Sequence, residues 1–93
     1  MNSTAHPLRS DEYVWREVNG EVYVLGAQGS VLRVFNGTGS AIWKLCDGTL
    51  SVDDIVARVV AEFAAEPDVV RADVREFLDE LAAAKIVHEQ PAP

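Results

Sequence analysis

The sequence predicts an α+β domain in which a three-stranded antiparallel meander is followed by three helices. Two observations support this prediction. Short segments rich in β-branched and aromatic residues, bounded by glycine-bearing turns, occupy the first third of the chain. After them, the apolar residues recur at the 3.6-residue spacing of helices. Two short helices and a longer one after a small sheet also fit a winged helix-turn-helix-like fold with its sheet placed first.

The first two strands form a predicted hairpin. They cover Tyr13–Val18 and Glu21–Leu25, and Asn19 and Gly20 lie between them. Asn-Gly favours a two-residue type I′ turn, because both turn positions need a positive φ. Such a turn pairs the last residue of the first strand with the first residue of the second. Each face of the hairpin mixes apolar and polar residues, so the pattern leaves open which face packs on the core.

The third predicted strand, Val31–Phe35, is the edge of the meander that we expect to be functional. It follows a glycine-bearing turn, and Arg33 is its one charged residue. An edge strand with so little protection is normally covered, paired or used for binding. We expect an extended peptide to add to it as a further strand. The segment Ile86–Glu89 and a second copy of the chain are alternative occupants of the same edge.

Three helices follow, and local signals mark where they start. The first covers about Thr38–Cys46. The second starts after Ser51, which forms a predicted capping box with Asp54. The third covers about Asp68–Ala84, and its apolar face comprises Val70, Val74, Phe77, Leu78 and Leu81. An apolar pair after the third helix either forms a short last strand or packs at the base of the domain.

Polar composition at both ends predicts tails around a single domain. Residues 1–11 are polar and contain one proline, so we expect a flexible N-terminal tail. Residues 12–88 form the expected domain, and residues 89–93 form the expected C-terminal tail. A chain of 93 residues suits one domain with a thin core.

The charge balance and the cysteine count argue against several classes of function. Eight Lys and Arg residues stand against fifteen acids, which gives a net charge of −7. DNA-binding domains gain affinity by neutralising phosphates with cations, so nucleic acid is a poor partner for this chain. Cys46 is the single cysteine, and the two histidines lie in opposite terminal segments. We therefore expect no disulfide, no metal site and no cofactor.

Hydropathy gives no sign of a membrane or export segment. No apolar run approaches the ~20 residues of a membrane span, and the first residues lack the apolar segment of a secretory signal. We therefore expect a cytoplasmic protein without a membrane partner, and its oligomeric state stays open.

Four stretches of the sequence carry a family resemblance. They are VWREVNGEVYVL, VFNGTGSAIWKLCDG, SVDDIVARVVAEF and VRADVREFLDEL. In that order they resemble the opening hairpin, the strand–Asn-Gly–Trp–Asp-Gly signature, and the second and third helices of the PqqD-like family. Members of this family are peptide-recognition domains called RiPP recognition elements. The resemblance covers about Tyr13 to Val87. It departs from the family at Lys85, where a glycine often ends the third helix.

The resemblance implies a non-catalytic peptide chaperone. Such domains bind the leader segment of a ribosomally synthesised precursor peptide and present it to a modifying enzyme, such as a radical SAM maturase, a cyclase or a leader protease. The leader adds to the third strand, in the groove between that strand and the third helix. Carried onto this sequence, the resemblance implies these peptide-binding residues: Val31, Leu32, Arg33, Val34, Phe35, Arg71, Val74, Arg75 and Leu78.

Two questions stay open at this point. Arg71 and Arg75 lie one helical turn apart and share a face, where they either clamp acidic leader residues or pair with nearby acids in solvent. The alternative function is an acidic winged-helix regulator that binds protein or DNA. An enzyme is not expected, because the sequence places neither a nucleophile with its base nor a pair of buried carboxylates.

Overall fold

The structure, a computed structural model, describes residues 1–90 and confirms the α+β class. Its strands are β1 (His6–Arg9), β2 (Val14–Val18), β3 (Glu21–Leu25), β4 (Val31–Phe35) and β5 (Val87–Gln90), and its helices are α1 (Gly37–Leu45), α2 (Val52–Phe63) and α3 (Pro67–Ala83). β2, β3 and β4 form the predicted three-stranded antiparallel sheet, in that order. β1 and β5 form a second, two-stranded sheet that the sequence did not predict.

The β2–β3 hairpin has the predicted turn and register. Asn19 and Gly20 adopt φ values of 52° and 81°, which suits a type I′ turn. Val22 and Val24 on β3 are fully buried. The structure thus shows which face meets the core, since Trp15 lies opposite Val24 and packs against the buried residues from the same face.

The prediction of a flexible tail over residues 1–11 is wrong, because these residues are held by main-chain hydrogen bonds. β1 pairs antiparallel with β5. The Arg9 N–H donates to the Cys46 carbonyl at 2.8 Å, and the Gly48 N–H donates to the Pro7 carbonyl at 2.9 Å. Ala5 and Pro7 are buried. A polar segment needs few apolar side chains when its backbone groups find partners in this way.

The expected C-terminal tail also begins inside a strand. Residues 89 and 90 belong to β5 and pair with β1. Residues 91–93, the rest of that prediction, lie outside the described residues.

Arg9 connects β1 to the C-terminal end of α1 through hydrogen bonds. Its Nη1 donates to the carbonyl oxygens of Trp43 at 2.9 Å and Lys44 at 3.0 Å. These carbonyls belong to the last turn of α1, where intrahelical partners run out and the helix dipole favours a cation. The guanidinium also lies over the Trp15 ring, 5.2 Å from its centroid. One side chain therefore connects the N-terminal segment, α1 and β2.

The start of α2 confirms the predicted capping box. The Asp54 N–H donates to Ser51 Oγ, and the Ser51 N–H donates to the Asp54 carboxylate, both at 3.1 Å. The first two N–H groups of the helix, from Val52 and Asp53, donate to carbonyls of the N-terminal segment. The N–H groups in the first turn of α2 therefore find acceptors both in the helix's own cap and in the N-terminal segment for which we expected a flexible tail.

α3 ends at the point where the sequence departs from the family pattern. Lys85 adopts a positive φ of 62°. Its N–H donates to the Ala82 carbonyl at 3.0 Å, and the Ile86 N–H donates to the Leu81 carbonyl at 2.9 Å. This is the hydrogen-bond pattern of a Schellman motif, whose left-handed residue is most often glycine. The lysine therefore keeps the helix end that a glycine would give, in a conformation that strains a side chain.

The core lies between the inner face of the three-stranded sheet and the helices. Trp43 is fully buried and meets Trp15 edge to face, with 6.1 Å between ring centroids. The apolar face predicted for α3 points into this core. Its fully or nearly fully buried members are Val70, Val74, Leu78 and Leu81, whereas Phe77 is half-buried at its margin.

Candidate functional site

The outer edge of β4 is unpaired within residues 1–90. β4 pairs with β3 on one side, and no described strand pairs with it on the other. β5, which was an alternative occupant of this edge, pairs with β1 instead. The edge that the sequence singled out is therefore not covered by the described part of the chain.

The main-chain groups of Val34 face this vacant edge. In a hairpin with a two-residue turn, the residues flanking the turn form a hydrogen-bonded pair, and the pairs then alternate along the strands. The alternation turns the N–H and C=O of Val22 and Val24 towards β4, where they meet Phe35 and Arg33. Val34 lies between these two residues, so its N–H and C=O point away from β3. This orientation, which the sequence left open, offers a donor and an acceptor to an added strand.

The side chains of β4 alternate between the two faces of the sheet. Phe35 and Arg33 lie opposite buried valines and share the inner face with them. Val34 lies on the outer face and is 49% exposed. The register shifts near Leu32, whose side chain lies against Gly26. The inner side of a strand added here would therefore run beside Phe35 and Arg33, and not beside Val34.

A contact between two aromatic rings joins β4 to α3. The rings of Phe35 and Phe77 lie 4.9 Å apart, centroid to centroid, in a T-shaped arrangement. Gly39 at the start of α1 leaves the space for both, since a Cβ there would lie 3.3 Å from Phe35 and 3.4 Å from Phe77. Ser40 Oγ donates to the Phe35 carbonyl at 2.8 Å and anchors the end of β4. The distance between the free edge and α3 is thus set by packing on both sides.

The residues expected to form the α3 side of the groove lie partly in the core and partly on the flank of α3 that faces α2. Val74 and Leu78 have 0% exposure and belong to the core. Arg71 Nη1 binds the Asp53 carboxylate at 2.5 Å, on the flank of α3 that faces α2. At about 100° per residue, Arg71 and Phe77 point about 120° apart around the helix. Arg75 lies one turn from Arg71 and shares its flank.

Four residues outside the expected peptide-binding set lie on the flank of α3 that carries Phe77. Asp73, Glu76, Phe77 and Glu80 line a shallow depression of about 270 Å³. Their spacing of three, four and seven residues places them on one side of a helix. The sequence shows that spacing. It does not show that Phe77 packs against β4, and this contact identifies the flank of α3 that lies beside the β4 edge.

Cys46, the single cysteine of the sequence, lies in the core of the domain. Burial raises the pKa of the Cys46 thiol to about 12, so the thiol stays protonated at neutral pH and lacks the thiolate that a nucleophile needs. Within residues 1–90, no group of His, Cys, Asp and Glu side chains could hold a metal ion. A larger depression of about 700 Å³ between α1 and α2 shares no residue with the β4 edge, and it is lined by Ala41, Lys44, Leu45, Ala57, Arg58, Ala61 and Glu62.

None of the helices in the described part of the chain combines the length and the apolar composition needed to cross a membrane.

Comparisons with known proteins agree with this architecture. The family model described as coenzyme PQQ synthesis protein D (PqqD) matches residues 21–87. A solved structure described as TbiB1 in complex with the TbiA(beta) leader peptide is similar to the chain, with a TM-score of 0.76 and 29% sequence identity. The similarity covers 87% of this chain and 94% of that one. A search of curated proteins finds no significant match.

Proposed function

Because the chain belongs to the PqqD family, we propose that it is a RiPP recognition element that binds the leader segment of a ribosomally synthesised precursor peptide. The leader adds to β4 as a further antiparallel or parallel strand, beside α3. The domain then delivers the precursor to a modifying enzyme in the cytoplasm, the compartment in which ribosomal products first appear. The domain itself performs no chemistry.

The observation that carries this proposal is the vacant edge of β4. An edge strand that exposes apolar side chains and free main-chain groups is normally blocked in a monomeric protein. Here Val31 and Val34 are 56% and 49% exposed, and no described segment pairs with the edge. The solved relative, TbiB1, holds a leader peptide, which supports the same kind of occupant for this chain.

In strand addition, the backbone and the side chains contribute different properties of binding. Main-chain hydrogen bonds, among them those of Val34, would supply affinity for almost any extended segment. Selectivity then has to come from side chains that a bound strand meets on its two faces. On the inner face these are Phe35 and Phe77, and on the outer face Val34 and its cross-strand neighbour Tyr23.

The modifying enzyme would act on the part of the precursor that the domain leaves unbound. A radical SAM maturase, a cyclase and a leader protease are the three classes that we consider. Each would receive a substrate whose leader is already ordered, which lowers the entropic cost of its own binding step.

The proposal is tested by a titration with synthetic leader peptides. The neighbouring genes are first searched for a short precursor peptide, and fluorescein-labelled peptides covering its leader are then titrated with the protein and followed by anisotropy. Val34→Pro removes the outward N–H and inserts a ring at the edge, so we expect affinity to fall by at least about tenfold. Glu17→Pro is the matched control. By the same alternation its N–H points outward from β2, the opposite edge, and we expect affinity within about twofold of the wild type.

A second measurement keeps the test independent of how well the proline variants fold. In the wild-type protein, amide hydrogen exchange at Val34 should slow when the leader peptide is added, because its N–H gains an acceptor. An unchanged exchange rate at Val34 together with equal affinities of the two proline variants would contradict the proposal. Binding that survives Val34→Pro while both variants stay folded would move the site away from β4.

A further inference from the structure

We propose that the segment bound at β4 is cationic, with Lys or Arg at the alternate positions that face α3 and apolar or small residues between them. This inference rests on the proposed function and adds the chemical class of its peptide. The occupant of the edge is an extended segment of positive charge.

The geometry of strand addition defines which positions of the peptide are involved. Successive side chains of a strand point to opposite faces of the sheet. One set would therefore lie on the inner face beside Phe35, next to the flank of α3 that carries Phe77. The other set would lie on the outer face beside Val34, which is apolar and half-exposed.

The α3 flank that the inner set meets is acidic. Asp73, Glu76 and Glu80 line the depression together with Phe77, and all three carboxylates are exposed. Within residues 1–90, none of them takes part in an ion pair. An added strand with cationic inner side chains would bring opposite charges together, which favours both the encounter and the register.

The cations near the β4 edge do not neutralise the negative charge of these three carboxylates. Arg33 is the one cation on β4, and its Nη1 donates to the neighbouring Leu32 carbonyl at 2.9 Å. Arg71 is paired with Asp53 on the flank of α3 that faces α2. Three carboxylates against one guanidinium leave the region net negative, in a chain whose total charge is −7. An acidic leader, which a clamp of the two arginines of α3 would favour, fits this region poorly.

The experiment compares three pools of synthetic peptides of about ten residues, the length of a long strand. Every second position carries Lys or Arg in the first pool, Asp or Glu in the second, and Ser or Asn in the third. Val, Thr and Tyr occupy the positions between them in all three. We expect the cationic pool to bind at least about tenfold more tightly than the acidic pool at low salt. At about 0.5 M salt the preference should fall to about threefold or less.

Two triple variants with the same net charge locate the effect. The first, Asp73→Asn with Glu76→Gln and Glu80→Gln, neutralises the flank and should abolish the preference for the cationic pool. The second is the matched control, Asp11→Asn with Glu12→Gln and Glu62→Gln, which neutralises three exposed acids elsewhere. It should keep the preference within about twofold when both variants are compared at about 0.1 M salt, where screening limits the reach of exposed charges to about 10 Å.

The outcomes separate this inference from the proposed function. If all three pools bind equally, or if both triple variants lose the preference equally, the charge inference is overturned. The proposed function then still stands, provided that Val34→Pro abolishes binding of the pools. If no pool binds, or if Val34→Pro leaves binding of the pools unchanged, the charge inference is overturned, and the titration with leader peptides decides the proposed function separately.

Discussion

Phe35 on β4 and Phe77 on α3 pack edge to face, with ring centroids 4.9 Å apart and ring planes at 66°. The pair joins the free edge of the sheet to the longest helix. Aromatic pairs in this arrangement contribute about 0.5–1.5 kcal/mol beyond the area that they bury. The contact therefore both stabilises the domain and fixes the distance at which the acidic flank of α3 stands from the edge.

Replacing Phe77 should test both roles. We expect Phe77→Ala to lower the free energy of unfolding by about 2 kcal/mol, below the range for a fully buried Phe because the ring is only partly buried. Leader affinity should fall as well, since the flank loses its fixed position. Urea unfolding followed by tryptophan fluorescence measures the first effect and anisotropy the second. Phe63→Ala on α2, where the ring is 41% exposed, is the control. An equal loss of affinity in that variant would contradict the role given to Phe77.

The two arginines of α3 should be dispensable for binding. Arg71 pairs with Asp53, and Arg75 lies on the same flank, away from β4. We expect the double variant Arg71→Gln with Arg75→Gln to change leader affinity by less than about threefold. The cost in stability should stay below about 1 kcal/mol, because the Arg71 pair is exposed. A large, salt-sensitive loss of affinity would instead support the clamp for acidic residues.

Lys85→Gly should stabilise the protein. Lys85 occupies a left-handed conformation, with φ of 62°, which costs an L-residue about 1–2 kcal/mol. Glycine removes that strain but loses more backbone entropy on folding, so we expect a net gain of about 0.5–1 kcal/mol in urea unfolding. Lys85→Ala keeps the Cβ and is the control, with no gain expected. Equal stabilities of the glycine and alanine variants would show that the conformation at this position carries no strain.

Cys46 should make stability fall at alkaline pH. Burial raises its pKa from 9.0 to about 12 in the folded protein. The unfolded chain therefore loses this proton first. The stabilisation is complete below pH 9 and is lost between pH 9 and about 12, at up to about 1.4 kcal/mol per pH unit. Cys46→Val cannot ionise, so unfolding measured against pH should show a shallower alkaline decline for the variant. Parallel curves would contradict the assignment.

Local signals in the sequence accounted for most of the fold. Asn19 and Gly20 specify their turn through backbone conformation, and Ser51 with Asp54 specifies the start of α2 through hydrogen bonds within one turn. Both were therefore predictable. β1 was not, because His6 pairs with Gln90 at the other end of the chain and is held by main-chain groups. Such groups leave no apolar pattern in the sequence.

For the candidate site, the sequence predicts a strand edge but not the flank of α3 that lies beside it. The apolar run of β4 marked an edge, and the structure leaves that edge unpaired within residues 1–90. On α3, Val74 and Leu78 carry the same apolar signal whether they line a groove or fill the core, and the structure buries both. Only tertiary packing shows that the flank beside β4 is the one that carries Phe77 and Asp73.

The pairing of β1 with β5 joins segments from opposite ends of the chain. Within residues 1–90, β5 pairs with no other strand. Truncation of the N-terminal segment past Arg9 would therefore leave the main-chain groups of β5 without partners, so both ends of the fold would loosen together.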